Sequence, residues 1–252
     1  PGMLVLQQWL IENGISYSLA QKYAKSGWLN RLCSGVYYRP VANDEIKPSW
    51  IDALQAMVMQ LHLPVHLAGL SSLTHQGLSH YLQFNKEQVW IYVKNKQTTP
   101  KWFREFSSQH WFYCGNHKFA IVPEQDLKIV TIKGKEIQVS IPELAAYEVV
   151  DAIGKHISFE HAAELFQGLV NLSPRKVQSI LERSKSIQTN RVFLFLSHYY
   201  GHQWVKRLDE TRIELGSGKR QVVERGRFEE RYQITVPETF KLNRQELSNE
   251  QR

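Results

Sequence analysis

The fold is decided first by residues 14–40, which have the sequence GISYSLAQKYAKSGWLNRLCSGVYYRP. Either Ser16 caps a helix over about Tyr17–Ser26, or Ser18 caps it and Gln21 completes a capping box. One face of this helix is apolar and consists of Leu19, Ala20, Tyr23 and Ala24. A single apolar face predicts that the helix packs on a core from one side and meets solvent on the other.

A second predicted helix lies upstream of this helix in the sequence, and a predicted β-hairpin lies downstream. Upstream, Met3–Asn13 is predicted to be helical because its apolar residues recur at helical spacing. Downstream, the β-prone runs Trp28–Leu32 and Val36–Arg39 flank a tight turn and predict a hairpin. This order is typical of a winged helix-turn-helix, whose second helix enters the major groove of DNA. It also fits a small packing unit with a solvated polar face, and the pattern alone leaves both interpretations open.

The outward face of the second helix carries small polar, amide, phenol and lysine groups and no carboxylate. Groups of this kind can reach base edges and phosphates. The predicted DNA contacts on this helix and the hairpin are Ser16, Tyr17, Ser18, Gln21, Lys22, Lys25, Asn30, Arg31, Tyr37 and Arg39. Of these, Ser18, Gln21 and Lys22 are predicted to face bases. Phosphates are assigned to Lys25, Arg31 and Arg39.

Residues 14–40 resemble the amino-terminal domain of the AbiEi family of antitoxin regulators. In that family a Gly-Ile-Ser/Thr turn precedes a helix ending in Tyr-x-x-Ser-Gly-Trp-Leu, and then come Arg-Leu, Gly-Val-Tyr and a basic residue. The matching positions are Gly14, Ile15, Ser16, Tyr23, Ser26, Gly27, Trp28, Leu29, Arg31, Leu32, Gly35, Val36, Tyr37 and Arg39. Family members usually carry another helix upstream of a Pro-Gly, and this chain begins at Pro1-Gly2. We therefore expect the first helix of the module to be missing from the numbered chain.

The middle of the chain changes from helix to strand. Pro48–Leu63 has apolar residues at helical spacing and predicts an amphipathic helix. Runs rich in β-branched and aromatic residues then predict five strands, QVWIYV, HWFYC, KFAIV, LKIVTI and EIQVSI, with a hairpin turn at Lys133-Gly134. Their aromatic residues fit a sheet core or, alternatively, a stacking platform for single-stranded nucleic acid. The stretch AGLSSLTHQGLSHYL, residues 68–82, is predicted to hold a short helix and also resembles the AbiEi family.

From Pro142 onward the pattern is helical. Helices are predicted to begin at Pro142, Ser158 and Ser173, and TNRVFLFLSHYY predicts a further, buried helix. Three stretches resemble the AbiEi carboxy-terminal domain, namely ELAAYEVVDAIG, NRVFLFLSHYYGHQWVKRLD and IELGSGKRQVVERGRFEERYQITVP. The resemblance thus covers the chain from Gly14 to Pro237.

The end of the chain is predicted to be extended. Two runs, about Gln221–Glu224 and Arg231–Val236, are predicted to flank a turn containing Gly226. The polar tail from Glu238 is predicted to fray.

The chain carries an excess of positive charge, with a formal net charge of +7 and a pI of about 9.3. Excess positive charge favours polyanions as partners. A second basic surface is predicted in the carboxy-terminal half from Arg175, Lys176, Arg183, Lys185, Lys219, Arg220, Arg225 and Arg227. These residues fit either a site for DNA or for an RNA-like substrate of a partner toxin, or a solvated face balanced by nearby glutamates.

No pattern in the sequence predicts a catalytic residue, a metal site or a cofactor. The run LGSGKR resembles part of a phosphate loop but lacks the spacing of the full motif. The nearest candidates for a Mg²⁺-holding nuclease cluster are Asp126, Glu136 and Gln138, predicted on adjacent strands, but the lysine usual in such cores is absent. The spacing of His198 and His202 fits histidines with hydrogen-bond partners better than metal ligands.

The cysteines and the apolar runs indicate in which cellular compartment the protein is expected. Cys33 and Cys114 have no C-x-x-C spacing and are expected to be reduced thiols. No apolar run reaches the roughly 18–20 residues that a membrane helix needs. The first residues lack a basic segment and a cleavage site, so no secretory signal is predicted. We expect a soluble, cytoplasmic protein with no membrane partner.

Together the patterns predict an α+β protein, with an amino-terminal winged helix-turn-helix followed by a larger mixed α/β antitoxin domain. The predicted winged helix is residues 1–45, and the antitoxin domain is residues 46–237. This domain comprises a β-rich region, 46–141, and a helical region with a closing β-hairpin, 142–237. Residues 238–252 form the polar tail.

The resemblance implies a function for this architecture. It implies an autorepressor that binds inverted repeats in double-stranded DNA at its own promoter. It also implies the antitoxin of a type IV toxin–antitoxin pair in phage defence by abortive infection, neutralising an AbiEii-like nucleotidyltransferase toxin without requiring a stable complex. Two other classes stay open, a nuclease targeted by a winged helix and a protein-interaction module that does not bind DNA.

Overall fold

The computed structural model describes residues 3–40, 47–79, 88–93, 99–106, 110–114 and 122–242. The protein is α+β, as the sequence predicted. Two compact units are interleaved along the chain. The first unit comprises Pro1–Leu67, Gln83–Tyr113 and Ile129–Gln138, and the second comprises Ala68–Leu82, Cys114–Lys128 and Val139–Arg252. The functional division at residues 45, 141 and 237 stays a prediction.

The first unit opens with the predicted winged helix-turn-helix. Its elements are β1 (Leu4–Leu6), α1 (Gln7–Glu12), α2 (Tyr17–Lys25), β2 (Asn30–Cys33) and β3 (Val36–Tyr38). The strands form a three-stranded antiparallel sheet in the order β1-β3-β2, so the predicted hairpin is present and gains a third strand.

The prediction of one helix over Met3–Asn13 was wrong at its beginning. The first residues form β1, which pairs with β3 along Leu4↔Tyr38 and Leu6↔Val36. Leu4 and Leu6 are both buried while the residue between them is half-buried, which is the alternation of a strand. A strand this short acquires its hydrogen bonds from a partner distant in sequence, so local spacing did not reveal it.

The other part of the first unit is a helix and most of a five-stranded sheet. The helix α3 (Trp50–Met59) is shorter than predicted and starts with a capping box, in which the Ser49 N–H donates to Asp52 Oδ2 at 2.8 Å. The strands are β4 (Val65–Leu67), β5 (Gln88–Val93), β6 (His110–Cys114), β7 (Leu127–Ile132) and β8 (Lys135–Ser140), in the order β6-β5-β4-β8-β7. A short helix, α5 (Lys101–Arg104), lies between β5 and β6 in sequence.

Four of these strands, β5 to β8, confirm predictions, and so does the turn. Lys133 and Gly134, with φ of 49° and 75°, form the predicted turn between β7 and β8. The predicted strand KFAIV lies almost wholly outside the described residues, and β4 was not predicted. Burial of β5 from Val89 onward and stacking of Trp90 on Phe112, 4.6 Å between ring centroids, support the sheet-core interpretation of the aromatic residues.

The two parts of the first unit are joined by Gln60, which follows α3. Its side chain accepts from the Leu6 N–H at 2.9 Å and donates to the Leu4 carbonyl at 2.7 Å. These are the hydrogen bonds of one additional strand residue, made by a side-chain amide. They fix β1 to the end of α3 within this unit.

The second unit is mainly helical, as predicted. Its helices are α4 (Gly69–His75), α6 (Pro142–Asp151), α7 (Phe159–Gln167), α8 (Pro174–Arg183) and α9 (Ile187–Tyr199). Helix α6 is buried from Glu143 to Val150. Its two buried carboxylates accept hydrogen bonds at the beginnings of two other helices. Glu148 accepts from the Gly69 N–H of α4, and Glu143 accepts from the N–H of Ser173, which precedes α8, both at 2.7 Å.

A small sheet closes the second unit. It comprises β9 (Arg220–Gln221), β10 (Arg227–Glu229) and β11 (Ile234–Val236), in the order β10-β11-β9, with β10 and β11 antiparallel and β9 parallel to β11. A closing hairpin is present, but β10 and β11 form it rather than the two predicted runs, and the turn predicted at Gly226 was wrong. The hairpin turns between Glu229 and Ile234 instead.

The start of the predicted tail is ordered by an aromatic contact. Phe240 is buried, and its ring centroid lies 5.0 Å from those of Phe159 and Tyr199. Fraying directly from Glu238 was therefore a wrong prediction, because one large apolar side chain fixes this segment. Among the described helices, none has the length and apolar character needed to cross a bilayer.

Candidate nucleic-acid interface

Helix α2 begins at a serine cap. Ser16 has extended backbone angles, and its Oγ accepts from the Leu19 N–H at 3.3 Å. Ser18 lies inside the helix with its Oγ 3.0 Å from that of Ser16. Of the two caps that the sequence allowed, the structure has Ser16, which leaves the first turn of α2 pointing outward with two hydroxyl groups.

The inner face of α2 is fixed by a small core. This core consists of Leu10, Ala20 and Tyr37, which are all at most 3% exposed, with Val5, Trp9, Ile15, Ala24 and Leu29 packed around them. Because α1, α2 and the wing sheet all contribute, the rotation of α2 about its axis is determined by packing. The residues on its other face are therefore directed to solvent.

That outward face carries the predicted DNA contacts. Its exposed residues are Ser16, Tyr17, Ser18, Lys22 and Lys25, and Gln21 is half-buried beside them. Helix α2 contains no acidic residue. The face thus offers hydroxyl, amide and ammonium donors with no carboxylate to repel a phosphate.

Tyr37 differs from the other predicted contacts because it lies wholly inside the module. Its hydroxyl donates to Gln7 Oε1 and accepts from Gln21 Nε2, each at 3.2 Å. The buried ring has no surface to offer to a ligand. Its hydroxyl instead links α1, the wing and the outward face of α2, and so orients Gln21.

The wing presents the other predicted contacts. Arg31 and Arg39 are exposed, and Arg31 Nε donates to the Cys33 carbonyl at 3.3 Å across a bulge in β2. Asn30 Nδ2 donates to the Tyr38 hydroxyl at 3.3 Å. The bulge and these hydrogen bonds set the direction in which the polar side chains leave the strand.

Trp28 was not among the predicted DNA contacts, but the structure places it on the surface beside the wing. It had been placed in a wing strand, but β2 begins at Asn30 and Trp28 is 70% exposed in the loop before it. An exposed tryptophan next to a cationic wing is unusual, since tryptophan is highly buried on average. The signals in the sequence were its position between Gly27 and the polar residues of the wing and its place in the AbiEi motif.

The predicted second basic surface is only partly available to a ligand. Arg183 pairs with buried Asp126, Arg227 donates to the Phe240 carbonyl at 3.0 Å, and Arg220 donates to the Lys219 carbonyl at 3.1 Å. The other members, all exposed, are Arg175, Lys176, Lys185, Lys219 and Arg225. Three of the predicted residues thus donate to protein atoms, and Lys219 Nζ also lies 4.8 Å from the centroid of the Phe228 ring.

The run LGSGKR is organised by a buried arginine. Arg191 of α9 is 3% exposed and donates to the carbonyls of Leu215, Gly218 and Gly216 at 2.6, 2.6 and 3.0 Å. Gly216 has a φ of +55°, which L side chains rarely adopt, and a Cβ atom there would lie 2.5 Å from Ile187 Cδ1, so glycine is favoured. The glycines of this run therefore serve close packing and carbonyl positions around a guanidinium.

Among the residues considered for a nuclease, Asp126 already has a partner. Asp126 lies in a 3₁₀ turn before β7 rather than on a strand, and Arg183 occupies its carboxylate. Within the described ranges, no three His, Cys, Asp or Glu residues are grouped so as to hold a metal ion.

The histidines and the one cysteine with a described side chain have ordinary surroundings. His198 Nε2 lies 2.8 Å from Glu210 Oε1, and His202 Nε2 lies 2.9 Å from the Phe166 carbonyl, which confirms that both have hydrogen-bond partners. Cys33 is free and exposed, and the side chain of Cys114 lies outside the described residues. Partial burial raises the pKa of the Cys33 thiol, which favours its protonated form.

The order of elements, the serine-capped second helix and the three-stranded wing define a winged helix-turn-helix protein with a larger α+β part. The chain belongs to the AbiEi family of transcriptional regulators, which are antitoxins of type IV toxin–antitoxin systems. Residues 1–84 match the family's model of the AbiEi antitoxin N-terminal domain. Residues 86–237 match its model of the AbiEi antitoxin transcriptional regulator of type IV systems. The resemblance that the sequence motifs indicated is thereby confirmed.

Similarity to a solved structure supports the fold independently. The crystal structure of the RV2827C protein from Mycobacterium tuberculosis matches with a TM-score of 0.59 and 13% sequence identity, over 92% of this chain and 85% of that chain. At this identity the match shows the fold alone. Comparison with curated protein sequences gives no significant match.

Proposed function

We propose that this protein is a cytoplasmic autorepressor that binds inverted repeats in double-stranded DNA at its own promoter. In the same proposal it is the antitoxin of an AbiEii-like nucleotidyltransferase toxin. Membership of a family of transcriptional regulators and type IV antitoxins supports both parts.

The observation that carries the DNA-binding part is the outward face of α2. The helix is held by its inner face, while hydroxyl, amide and lysine groups without any carboxylate lie on the exposed side. In a winged helix-turn-helix this is the side that enters the major groove. The wing places Arg31 beside the same module, and Arg39 follows its last strand.

Within this interface we assign two roles. Ser18, Gln21 and Lys22 contact base edges, because they lie on the outward face in the first turns of α2. Lys25, Arg31 and Arg39 contact phosphates, because each is an exposed cation at the edge of that face or beside the wing. Tyr37 is not assigned a direct contact, and acts by holding Gln21 in position.

Sequence-specific binding is tested with a gel-shift titration on two DNA duplexes, the native promoter and the same promoter with its inverted repeats scrambled. Ser18→Ala removes an uncharged group, so affinity for the native promoter should fall several-fold while affinity for the scrambled duplex stays constant. The Ser16 cap on the Leu19 N–H is preserved in this variant. Equal binding of the wild-type protein to both duplexes would contradict a repressor. Absence of any shift at low salt would favour a protein-interaction module.

Separation of repression from toxin neutralisation is tested in the full-length chain. Removing the amino-terminal segment is unsuitable, because Gln60 would lose both hydrogen-bond partners on β1. The double variant Lys22→Ala and Lys25→Ala keeps the fold, since both side chains are exposed. It should derepress a promoter reporter and still rescue growth when the toxin is co-expressed. Loss of rescue together with repression would contradict the division of labour.

A further inference from the structure

The second unit contains a polar cleft at the beginning of α8. The cleft has a volume of about 390 Å³ and is lined by Pro174, Arg175, Gln178, Arg207, Asp209 and Arg212. Pro174, Arg175 and Gln178 belong to helix α8. Arg207 and Arg212 are the last residues of two 3₁₀ turns, Val205–Arg207 and Glu210–Arg212, and Asp209 caps the second turn. Three arginines separated in sequence thus line one concave surface.

Gln178 connects the two elements that line this cleft. Its Oε1 accepts from the Asp209 N–H at 2.9 Å, and its Nε2 donates to the Asp209 carbonyl at 3.0 Å and to Glu182 Oε1 at 2.8 Å. The side chain therefore fastens α8 to the segment between the two turns.

The two carboxylates near the cleft accept hydrogen bonds from neighbouring protein groups. Asp209 Oδ1 accepts from the Thr211 N–H at 3.1 Å and caps the second turn. Glu182 accepts from Arg212 Nε at 3.0 Å and from its Nη2 at 3.1 Å, so it holds that guanidinium in one orientation.

Two guanidinium groups remain without a protein partner. Arg175 and Arg207 are exposed, and neither guanidinium forms a hydrogen bond or ion pair with a residue in the described part of the chain. Lys176 and Lys206, also exposed, stand next to them in sequence and add positive charge. This situation contrasts with that of Arg183, Arg220 and Arg227, whose guanidinium groups are bound to protein atoms.

We propose that this cleft binds a polyphosphate chain, such as that of a nucleoside triphosphate. Each guanidinium is permanently charged and presents a planar set of N–H donors that matches phosphate oxygens. The volume is in the range of small-ligand sites, roughly 300–1,000 Å³, so a bare phosphate would leave most of it empty. No aromatic side chain lines the cleft, so recognition falls on the phosphates and the base contributes little. This inference is independent of the proposed function.

Isothermal titration calorimetry on the full-length protein at low salt tests the proposal. The three ligands are ATP, AMP and inorganic tripolyphosphate. ATP and tripolyphosphate should bind with similar affinity, and AMP at least about tenfold more weakly, because fewer charged oxygens reach the arginines. The double variant Arg175→Gln and Arg207→Gln should lose at least about tenfold in affinity for tripolyphosphate. Its thermal midpoint should match that of the wild type, since neither guanidinium has a protein partner.

The control removes the same charge elsewhere on the second unit. Lys185→Gln with Arg225→Gln changes two exposed cations outside the cleft and should leave tripolyphosphate affinity within about twofold. Equal losses in both double variants would overturn the proposal, as would absence of tripolyphosphate binding at millimolar concentration. Binding of a short single-stranded RNA in place of tripolyphosphate would also overturn it.

A gel shift on promoter DNA separates this site from the DNA-binding interface. The Arg175→Gln and Arg207→Gln variant should shift promoter DNA like the wild type. A lowered DNA affinity in this variant would assign the cleft to the DNA-binding surface and contradict the proposal.

Discussion

At the scale of single residues, Tyr37 shows how a side chain can serve an interface from inside the protein. Its ring is in the core with Leu10 and Ala20, and its hydroxyl connects Gln7 of α1 with Gln21 of α2. From the sequence it was counted among the DNA contacts because it stands on the wing. The position of Tyr37 is instead decided by packing against buried apolar side chains such as Leu10 and Ala20. The sequence does not show which side chains meet in this core.

Tyr37→Phe should destabilise the winged helix by about 1–3 kcal/mol, because a buried hydroxyl loses two hydrogen bonds, each of which contributes about 0.5–1.5 kcal/mol. DNA affinity should fall modestly with an unchanged salt dependence, since no charge is removed. Urea denaturation and a gel-shift titration measure the two effects. Tyr17→Phe is the control, because Tyr17 is 58% exposed and its hydroxyl loss should not alter stability. Equal stability of all three proteins would show that the Gln7–Tyr37–Gln21 link is not stabilising.

His202 makes stability depend on pH. Burial lowers the pKa of His202 below its usual value of 6.5, although its hydrogen bond to the Phe166 carbonyl acts in the opposite direction. As the pH falls below about 6.5, the unfolded chain takes up a proton at this residue before the folded protein does. This histidine therefore contributes full stability above that pH and loses the contribution as the pH falls towards its lowered pKa.

His202→Gln should flatten this acid dependence. The glutamine amide can still donate to the Phe166 carbonyl but does not titrate. Between about pH 7 and pH 5 the wild type should lose stability more steeply than the variant, by up to about 1.4 kcal/mol per pH unit. Thermal midpoints across this range measure the difference. Parallel pH profiles for the two proteins would contradict the assignment.

At the scale of elements, local sequence was sufficient where an element is determined by its own residues. The α2 helix was predicted almost to its last residue, because its serine cap, its apolar face and Gly27 are all local signals. The starts of α6, α7 and α8 were predicted from a proline or serine for the same reason.

Strands that depend on distant partners were predicted less well. The strand β1 pairs with β3, whose residues are 30 to 34 positions away, and β9 lies parallel to β11. The turn predicted at Gly226 was wrong because glycine was taken as a sign of chain reversal. The structure uses Gly226 for close approach instead, since a Cβ atom there would lie 2.2 Å from the Val236 carbonyl oxygen.

Gly226→Ala should therefore destabilise the second unit by more than about 2 kcal/mol, because the β10–β11 pair must separate to admit the methyl group. Gly168→Ala is the matched control, since the nearest atom to its Cβ would be the Leu165 carbonyl oxygen at an ordinary 3.5 Å. Chemical denaturation of both variants measures the effect. Similar stability of the two variants would contradict the close packing at Gly226.

At the scale of the whole molecule, the sequence predicted the α+β class and the family, but only part of the candidate sites. The outward face of α2 was predictable because a helix places residues on faces by their spacing. Which basic side chains are free to bind a ligand was not predictable from the sequence. Arg183 is bound to Asp126, 57 positions away, whereas Arg175 and Arg207 meet in a cleft that spacing does not indicate.

The central claim is that α2 and the wing bind DNA, and the salt dependence of promoter binding tests it most directly. Each phosphate contact contributes about one unit to the slope of log K against log salt concentration. Lys25→Ala should lower the magnitude of this slope by about one unit and weaken binding to all duplexes alike. Lys128→Ala, which removes an exposed lysine of β7, should leave the slope unchanged. An unchanged slope in Lys25→Ala, or an equal decrease in both variants, would contradict the assignment of the interface to α2.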